Sequence, residues 1–310
     1  MLYLSDQNVR DLLPDPSGLL AIIGDTLTAL ADGRVQMPPR TTLASENAAR
    51  FIAFPVRMSH LGVAGVKWFG IDHQPESSTK TAAAHILLSS EKRATPLAVV
   101  EAGWITAWRT AMMSLYAAKL LAQPQARRIA FIACGEQARL HLDAFQTSFP
   151  LAEVRAWSRS GDTAKQFVKL AVESGLAAEA VSSARTCVEG ADIIIASSPA
   201  AINTCFTPGD LAPGAFVSLV DLGRSFTHEA LTIRDVVHVD DVPQARALMT
   251  RGDIATMGMA RMLSITETAP SYPQTRPRIF LPTGLGAVDV ALAHYLWREA
   301  VIKGRGHDLR

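Results

Sequence analysis

Three cations stand where the neighbouring residues are apolar: Arg40 after Pro38-Pro39, Lys67 in Gly65-Val-Lys-Trp-Phe-Gly70, and Arg109 in Ile105-Thr-Ala-Trp-Arg-Thr110. A charge in apolar surroundings needs an anionic partner, because burying it unpaired is costly. Brought to one cleft, the three would hold a substrate carboxylate, the arginines bidentately and the lysine as a point charge. A desolvated Lys67 could also move a proton. The same residues would serve equally in internal salt bridges, for example Arg109 with Glu101, and spacing alone does not choose between the two.

The second chemical feature is Ile129-Ala-Phe-Ile-Ala-Cys134-Gly135-Glu-Gln-Ala138, which reads as a strand, a tight turn and the start of a helix. In a G-x-G-x-x-G/A dinucleotide fingerprint the first glycine makes the turn, the second lets pyrophosphate approach the backbone, and the third position is small for helix packing. Here those positions hold Ala133, Gly135 and Ala138. The motif is degraded, so a cofactor loop and an ordinary strand-helix corner both remain open; its place at the head of a βαβ unit favours the first. The next strand ends Ala156-Trp-Ser158-Arg159-Ser160 with no acid to bond a ribose 2′-hydroxyl. That ending favours NADP(H), while NAD(H) stays possible through Asp162.

These groups need two different scaffolds. After Gln123-Pro124, short apolar strands alternate with helix patterns: strands at Arg128–Ala133, Glu153–Trp157, Asp192–Ala196, Gly214–Asp221, Val236–Val239 and Arg278–Leu281, with helices at Gln137–Phe149, Thr163–Ser174 and Pro243–Arg251. That alternation predicts a doubly wound parallel sheet. Before it, Leu2–Leu4 is a strand, Ser5 an N-cap, and Pro16–Ala31 a helix. Segments at Arg50–Val56, Gly62–Phe69, Ala83–Leu88 and Pro96–Val100 then predict a mostly antiparallel sheet, followed by a helix over Ile105–Leu121. A final amphipathic helix, Gly286–Lys303, returns to the first domain. The predicted fold class is α/β: a Rossmann-type domain over 124–282 and a second α/β domain over 1–123 completed by 283–310.

Composition narrows the function classes. The chain has 310 residues, 48% hydrophobic and 19% charged, with 30 basic against 29 acidic side chains. That balance excludes a nucleic-acid or anionic-membrane partner for the molecule as a whole and leaves a small ligand as the default. The apolar surplus suggests a covered subunit interface. Cys134, Cys187 and Cys205 are odd in number and lack metal spacing, so neither a disulfide framework nor a structural zinc site is expected. No metal is expected, nor a membrane span or leader, and a reducing, cytoplasmic setting follows.

In order along the chain, Gly65-Val-Lys67, Thr95-Pro-Leu-Ala-Val-Val-Glu-Ala, Ile105-Thr-Ala-Trp-Arg109-Thr-Ala, Ala117-Ala-Lys-Leu-Leu-Ala122, Ala133-Cys-Gly-Glu-Gln-Ala138 and Pro282-Thr-Gly-Leu-Gly-Ala-Val-Asp-Val-Ala-Leu-Ala293 resemble the ornithine cyclodeaminase/mu-crystallin family. The resemblance implies a Rossmann domain plus a substrate domain that dimerises through its sheet. It also implies hydride transfer between a nicotinamide and the α-carbon of a small amino or imino acid. Carried over, Arg40, Lys67 and Arg109 match the carboxylate-binding cations, with Lys67 also assisting proton transfer. Thr110 and Ala133, Cys134, Gly135, Glu136, Gln137 and Ala138 match phosphate contacts. Ser158, Arg159 and Ser160 fall at the ribose, and Ser197 and Ser198, ahead of Pro199, fall where the family lines the nicotinamide.

Two departures bear on the substrate. The loop aspartate of the cyclodeaminases is replaced by Gly223, leaving Asp221 two residues early as a candidate catalytic substitute. The glutamate before the family's Met-Pro is absent from Phe51-Ile-Ala-Phe-Pro55. Both argue against a diamine and towards imine reduction. Another branch shares Val66-Lys67-Trp68 with a glycine at 70 and a histidine at 73, so His73 either touches substrate or is a plain loop histidine. A non-catalytic dinucleotide-binding protein is the alternative from a different class.

Overall fold

The computed structural model describes residues 1–46, 49–71, 82–198, 205–227, 231–232, 235–254, 258, 260–267, 273 and 275–309. His73 and Pro199 lie outside them. The chain divides into two compact units, Met1–Arg109 with Leu285–Arg310, and Thr110–Gly284.

The first unit begins with β1 (Leu2–Leu4) and α1 (Asp6–Leu12), whose cap Ser5 accepts from the Asn8 N–H. In α2 (Pro16–Ala31), proline opens the first turn and Asp15 accepts from the Gly18 N–H, the expected start of a helix. Then come β2 (Val35–Gln36), β3 (Thr41–Ala44), β4 (Arg50–Met58), β5 (Val63–Ile71), β6 (Ala82–Ser90) and β7 (Pro96–Glu101). Helix α3 (Gly103–Leu121) carries the chain from the first unit into the second.

There the alternation is β8 (Arg128–Ile132), α4 (Glu136–Gln146), β9 (Glu153–Trp157), α5 (Asp162–Glu173), β10 (Ala177–Ala180), α6 (Ala184–Val188), β11 (Ile193–Ala196), β12 (Phe216–Leu219), β13 (Val236–Val239), α7 (Val242–Thr250), β14 (Arg261–Ser264) and β15 (Arg278–Leu281). The sheet order is β10-β9-β8-β11-β12-β15-β13-β14, and every described pairing is parallel. Strands such as Ile193–Ala196 are buried throughout, as a sheet covered on both faces requires. The order reverses between β8 and β11, the position where open α/β sheets bind ligands at the carboxyl ends of their strands.

The chain then re-enters the first unit as α8 (Gly286–Lys303) and β16 (His307–Asp308). The first sheet runs β16-β1-β7-β6-β5-β4-β2, with β3 also on β4; among the described pairings only that of β1 with β7 is parallel. Alternation divides it into two faces. Ile52, Phe54, Val56, Val63, Ile86 and Leu88 are buried on one, where α8 packs. Phe51, Trp68 and Leu87 stand exposed on the other, the first two rings stacked with centroids 5.7 Å apart.

Helix α8 lies close against β4 and β5. A Cβ at Gly286 would fall 2.8 Å from the Phe54 Cβ, and one at Gly65 would meet the Val290 methyls at 3.2 Å. Both glycines are therefore needed for this approach, which carries Asp289 of α8 down onto the strand that holds Lys67.

Candidate active site

Lys67 occupies a buried position of β5, and its Nζ donates to Asp289 Oδ2 at 2.5 Å. The Nε of Arg109 donates to the other oxygen, Oδ1, at 3.1 Å. One fully buried carboxylate is thus shared by two buried cations. The Lys67 ammonium also lies 4.5 Å from the centre of the Phe54 ring and 5.9 Å from that of Phe69. The Arg40 guanidinium lies 5.8 Å from the same Phe54 ring. Burial drives the Lys67 pKa down to about 8; Asp289 opposes the shift, while Arg109 and Arg40 add to it.

The three cations singled out in the sequence are therefore brought together: Lys67 and Arg109 share the Asp289 carboxylate, and Arg40 approaches the Phe54 ring that Lys67 also faces. Two buried cations on one shared carboxylate favour an incoming anion. Arg109 bonds Asp289 through its Nε, and a guanidinium carries further donors suited to a planar carboxylate. The suggested pairing of Arg109 with Glu101 does not form. Glu101 instead accepts from the Tyr3 hydroxyl and from the Asp6 N–H, tying β1 and α1 to β7.

Asp289 is the residue that sequence reasoning missed as a site member. Its signal was present: a lone acid inside Gly286-Ala-Val-Asp-Val-Ala-Leu-Ala293, an otherwise apolar run that could bury it only against a cation.

In the second unit, the carboxyl ends of β8 and β11 lie side by side: the Ser197 N–H donates to the Ile132 carbonyl and the Ala133 N–H to that of Trp157. Ala133 adopts a left-handed φ of 69°, so the turn ordinarily made by glycine is kept with alanine at some steric cost. Gly135 caps α4 without any side-chain hydrogen bond to the helix, and a Cβ there would meet no protein atom within 4 Å. Ala138 is buried, as helix packing at that position requires. Uncapped N–H groups at a helix start, open space above a glycine, and the buried Ser197 Oγ without a described partner fit a dinucleotide diphosphate with its nicotinamide nearby. Ser198 is buried beside it, and Glu136 is exposed in the first turn of α4 with Gln137 after it.

Cys134 is buried against the Trp157 carbonyl, and burial pushes its thiol up to about 12, so it is inert packing within the loop. Ser158 accepts from the Ala164 N–H and helps to start α5, while Arg159 and Ser160 form the exposed middle of the 158–161 turn. Thr110 is half-buried on α3, and its carbonyl accepts from Ser114.

Asp221 is buried, and both oxygens are taken by its own loop: Oδ1 by the Gly223 N–H, and Oδ2 by the Ser225 N–H and hydroxyl, the latter at 2.5 Å. Burial raises its pKa against these bonds. In this geometry it shapes the turn through Leu222 and Gly223, both with positive φ. Behind α4, His141 joins the Gln137 carbonyl to the Ser114 hydroxyl, which bonds Ser218, a fully buried polar brace.

The order of motifs and the two scaffolds are matched by comparison with known proteins. The ornithine cyclodeaminase/mu-crystallin family matches residues 14–298. The chain belongs to that family. An alanine dehydrogenase of Archaeoglobus fulgidus is 26% identical over 327 residues, covering 100% of this chain and 98% of that protein. The ketimine reductase mu-crystallin of Mus musculus is 27% identical over 306 residues, covering 95% and 96%. Among solved structures, an archaeal alanine dehydrogenase dimer with bound NAD superposes with a TM-score of 0.85 at 24% identity, covering 100% of this chain and 99% of that one. The family's fold is thus an all-parallel Rossmann-like sheet beside a second, mixed sheet, as in this chain.

Proposed function

We propose that the protein is an NAD(P)-dependent oxidoreductase acting at the α-carbon C–N bond of a small imino or amino acid whose side chain is uncharged. The observation that carries this reading is the pair of buried cations, Lys67 and Arg109, on one shared carboxylate, with Arg40 near the same Phe54 ring. A nicotinamide, when bound to the second unit, supplies or accepts hydride. The chain's own residues bind and orient. Arg109 and Arg40 take the substrate carboxylate, and Lys67, desolvated and titrating near neutrality, gives or takes the proton at the reacting nitrogen.

The same cluster disfavours a diamine. A second ammonium would face three cations, Asp289 is already shared, and Asp221 is spent on its own loop. Reduction of a ketimine or other imino acid therefore fits better than cyclisation of ornithine, in keeping with the activity named for the mouse relative. The exposed Arg159 and Ser160 beyond β9, with no acid before Asp162 in the first turn of α5, support NADPH over NADH. Three free thiols suit a reducing, cytoplasmic setting.

The exposed apolar face of the first sheet, centred on Phe51, Trp68 and Leu87, supports a homodimer formed through that face. Sedimentation should show a dimer that Trp68→Glu converts to monomer; a monomeric native protein would remove the proposal.

The functional test is oxidation of NADPH and NADH with Δ1-pyrroline-2-carboxylate, Δ1-piperideine-2-carboxylate, or pyruvate plus an amine, beside proline formation from ornithine. Oxidation of NADPH with at least one imino acid and no proline from ornithine is expected. Proline from ornithine would overturn the substrate reading. Cofactor binding without turnover would leave a dinucleotide-binding protein.

A further inference from the structure

The cation cluster is held by a residue outside its own sheet. We infer that Asp289 is a positioning residue of the reaction, a carboxylate on α8 that fixes Lys67 and Arg109 relative to each other so that Arg109 holds the substrate carboxylate while Lys67 faces the reacting nitrogen. This rests on the reading of the cluster as a substrate site.

Three features of the geometry support it. Each oxygen of Asp289 serves a different cation, so neither Lys67 nor Arg109 can turn without releasing it. Arg109 engages Asp289 through its Nε, and its guanidinium has further donors with which to meet a carboxylate. The short aspartate side chain reaches both because Gly286 and Gly65 let α8 settle against Phe54 and bring Val290 over β5. The carboxylate also sets the charge state of its neighbour: burial and two arginines favour the neutral amine of Lys67, and Asp289 is the group that counters them.

A merely structural aspartate would cost stability and nothing else when removed. Asp289→Asn keeps the shape and deletes the charge. It is expected to lower kcat about 100-fold, to raise KM for the imino acid, and to leave NADPH affinity unchanged. The Lys67-dependent limb of the pH profile should move at least about one pH unit below its native position, so that acidification restores part of the lost rate. Asp289→Glu keeps the charge but displaces it, and should lower kcat while leaving the limb in place.

Lys67 can also be read without turnover, from the pH dependence of its carbamoylation by cyanate, measured by peptide mass. The labelling curve of Asp289→Asn should shift to lower pH than the native curve. Coincident curves, or an Asp289→Glu variant with native kcat and KM, would overturn the inference. If the Asn variant does not fold, the Glu variant decides. A native enzyme that turns over no imino acid while its Lys67 curve still shifts in Asp289→Asn would instead overturn the functional reading and leave the electrostatic role of Asp289 standing.

Discussion

Lys67→Met should reduce turnover by about 1,000-fold while NADPH affinity stays within about twofold of native. Methionine keeps the length and most of the volume of the side chain, so Phe54 and Phe69 retain their packing partner. What disappears is the one group in the cluster that can exchange a proton near neutral pH, since arginine stays protonated throughout. In the proposed reduction Lys67 would act as the protonated form. The native kcat/KM should therefore fall as pH rises through about 8, and the residual rate of the variant should lack that limb. Steady-state rates across pH, with cofactor titration by fluorescence, provide the check. Turnover close to native would exclude Lys67 from the mechanism.

The second large effect is loss of stability in mild acid. His141 and His238 are both buried, and burial holds each pKa down to about 4. His141 is satisfied as the neutral imidazole between Gln137 and Ser114, and the Nδ1 of His238 is buried without a described partner. In the unfolded chain the same groups titrate at about 6.5, so below that pH the unfolded state binds more protons than the folded one. Their contribution is whole above about pH 6.5 and is lost as pH falls towards 4. Between pH 7 and pH 5 the loss is about 2 kcal/mol for each histidine. The urea midpoint should drop accordingly, and His141→Asn should keep about half of that dependence. A midpoint unchanged between pH 7 and pH 5 would show that one or both imidazoles are not buried as neutral groups.

Much of the scaffold was legible because its strands are short, apolar and punctuated. Glu153–Trp157, Val236–Val239, Arg278–Leu281 and helix Gly286–Lys303 fall where periodicity places them. Among the segments that escaped notice, Ala177–Ala180 and Arg261–Ser264 have weak burial signals: they lie at the two edges of the parallel sheet and are mostly exposed or half-buried. The cations of the site were legible for the opposite reason, as charges in apolar company. Their partner was not, because β5 and α8 meet only in three dimensions and the nearer Glu101 offered a plausible alternative. Asp221 shows the limit from another side: residue type suggested chemistry, but the hydrogen bonds that consume both its oxygens depend on the backbone path through Leu222 and Gly223.

Lys67 and Asp289 lie 222 residues apart in the chain, and the whole parallel-sheet unit is made between them. During synthesis the first sheet emerges early, carrying a lysine for its interior with no carboxylate yet available to meet it. The second unit can fold while that sheet still waits, because every strand and helix of residues 110–284 precedes α8. Helix α8 brings the counter-charge and the apolar cover together, so burying the core of the first unit and neutralising Lys67 are a single event. Chains interrupted before α8 would carry an unneutralised charge within an uncovered sheet.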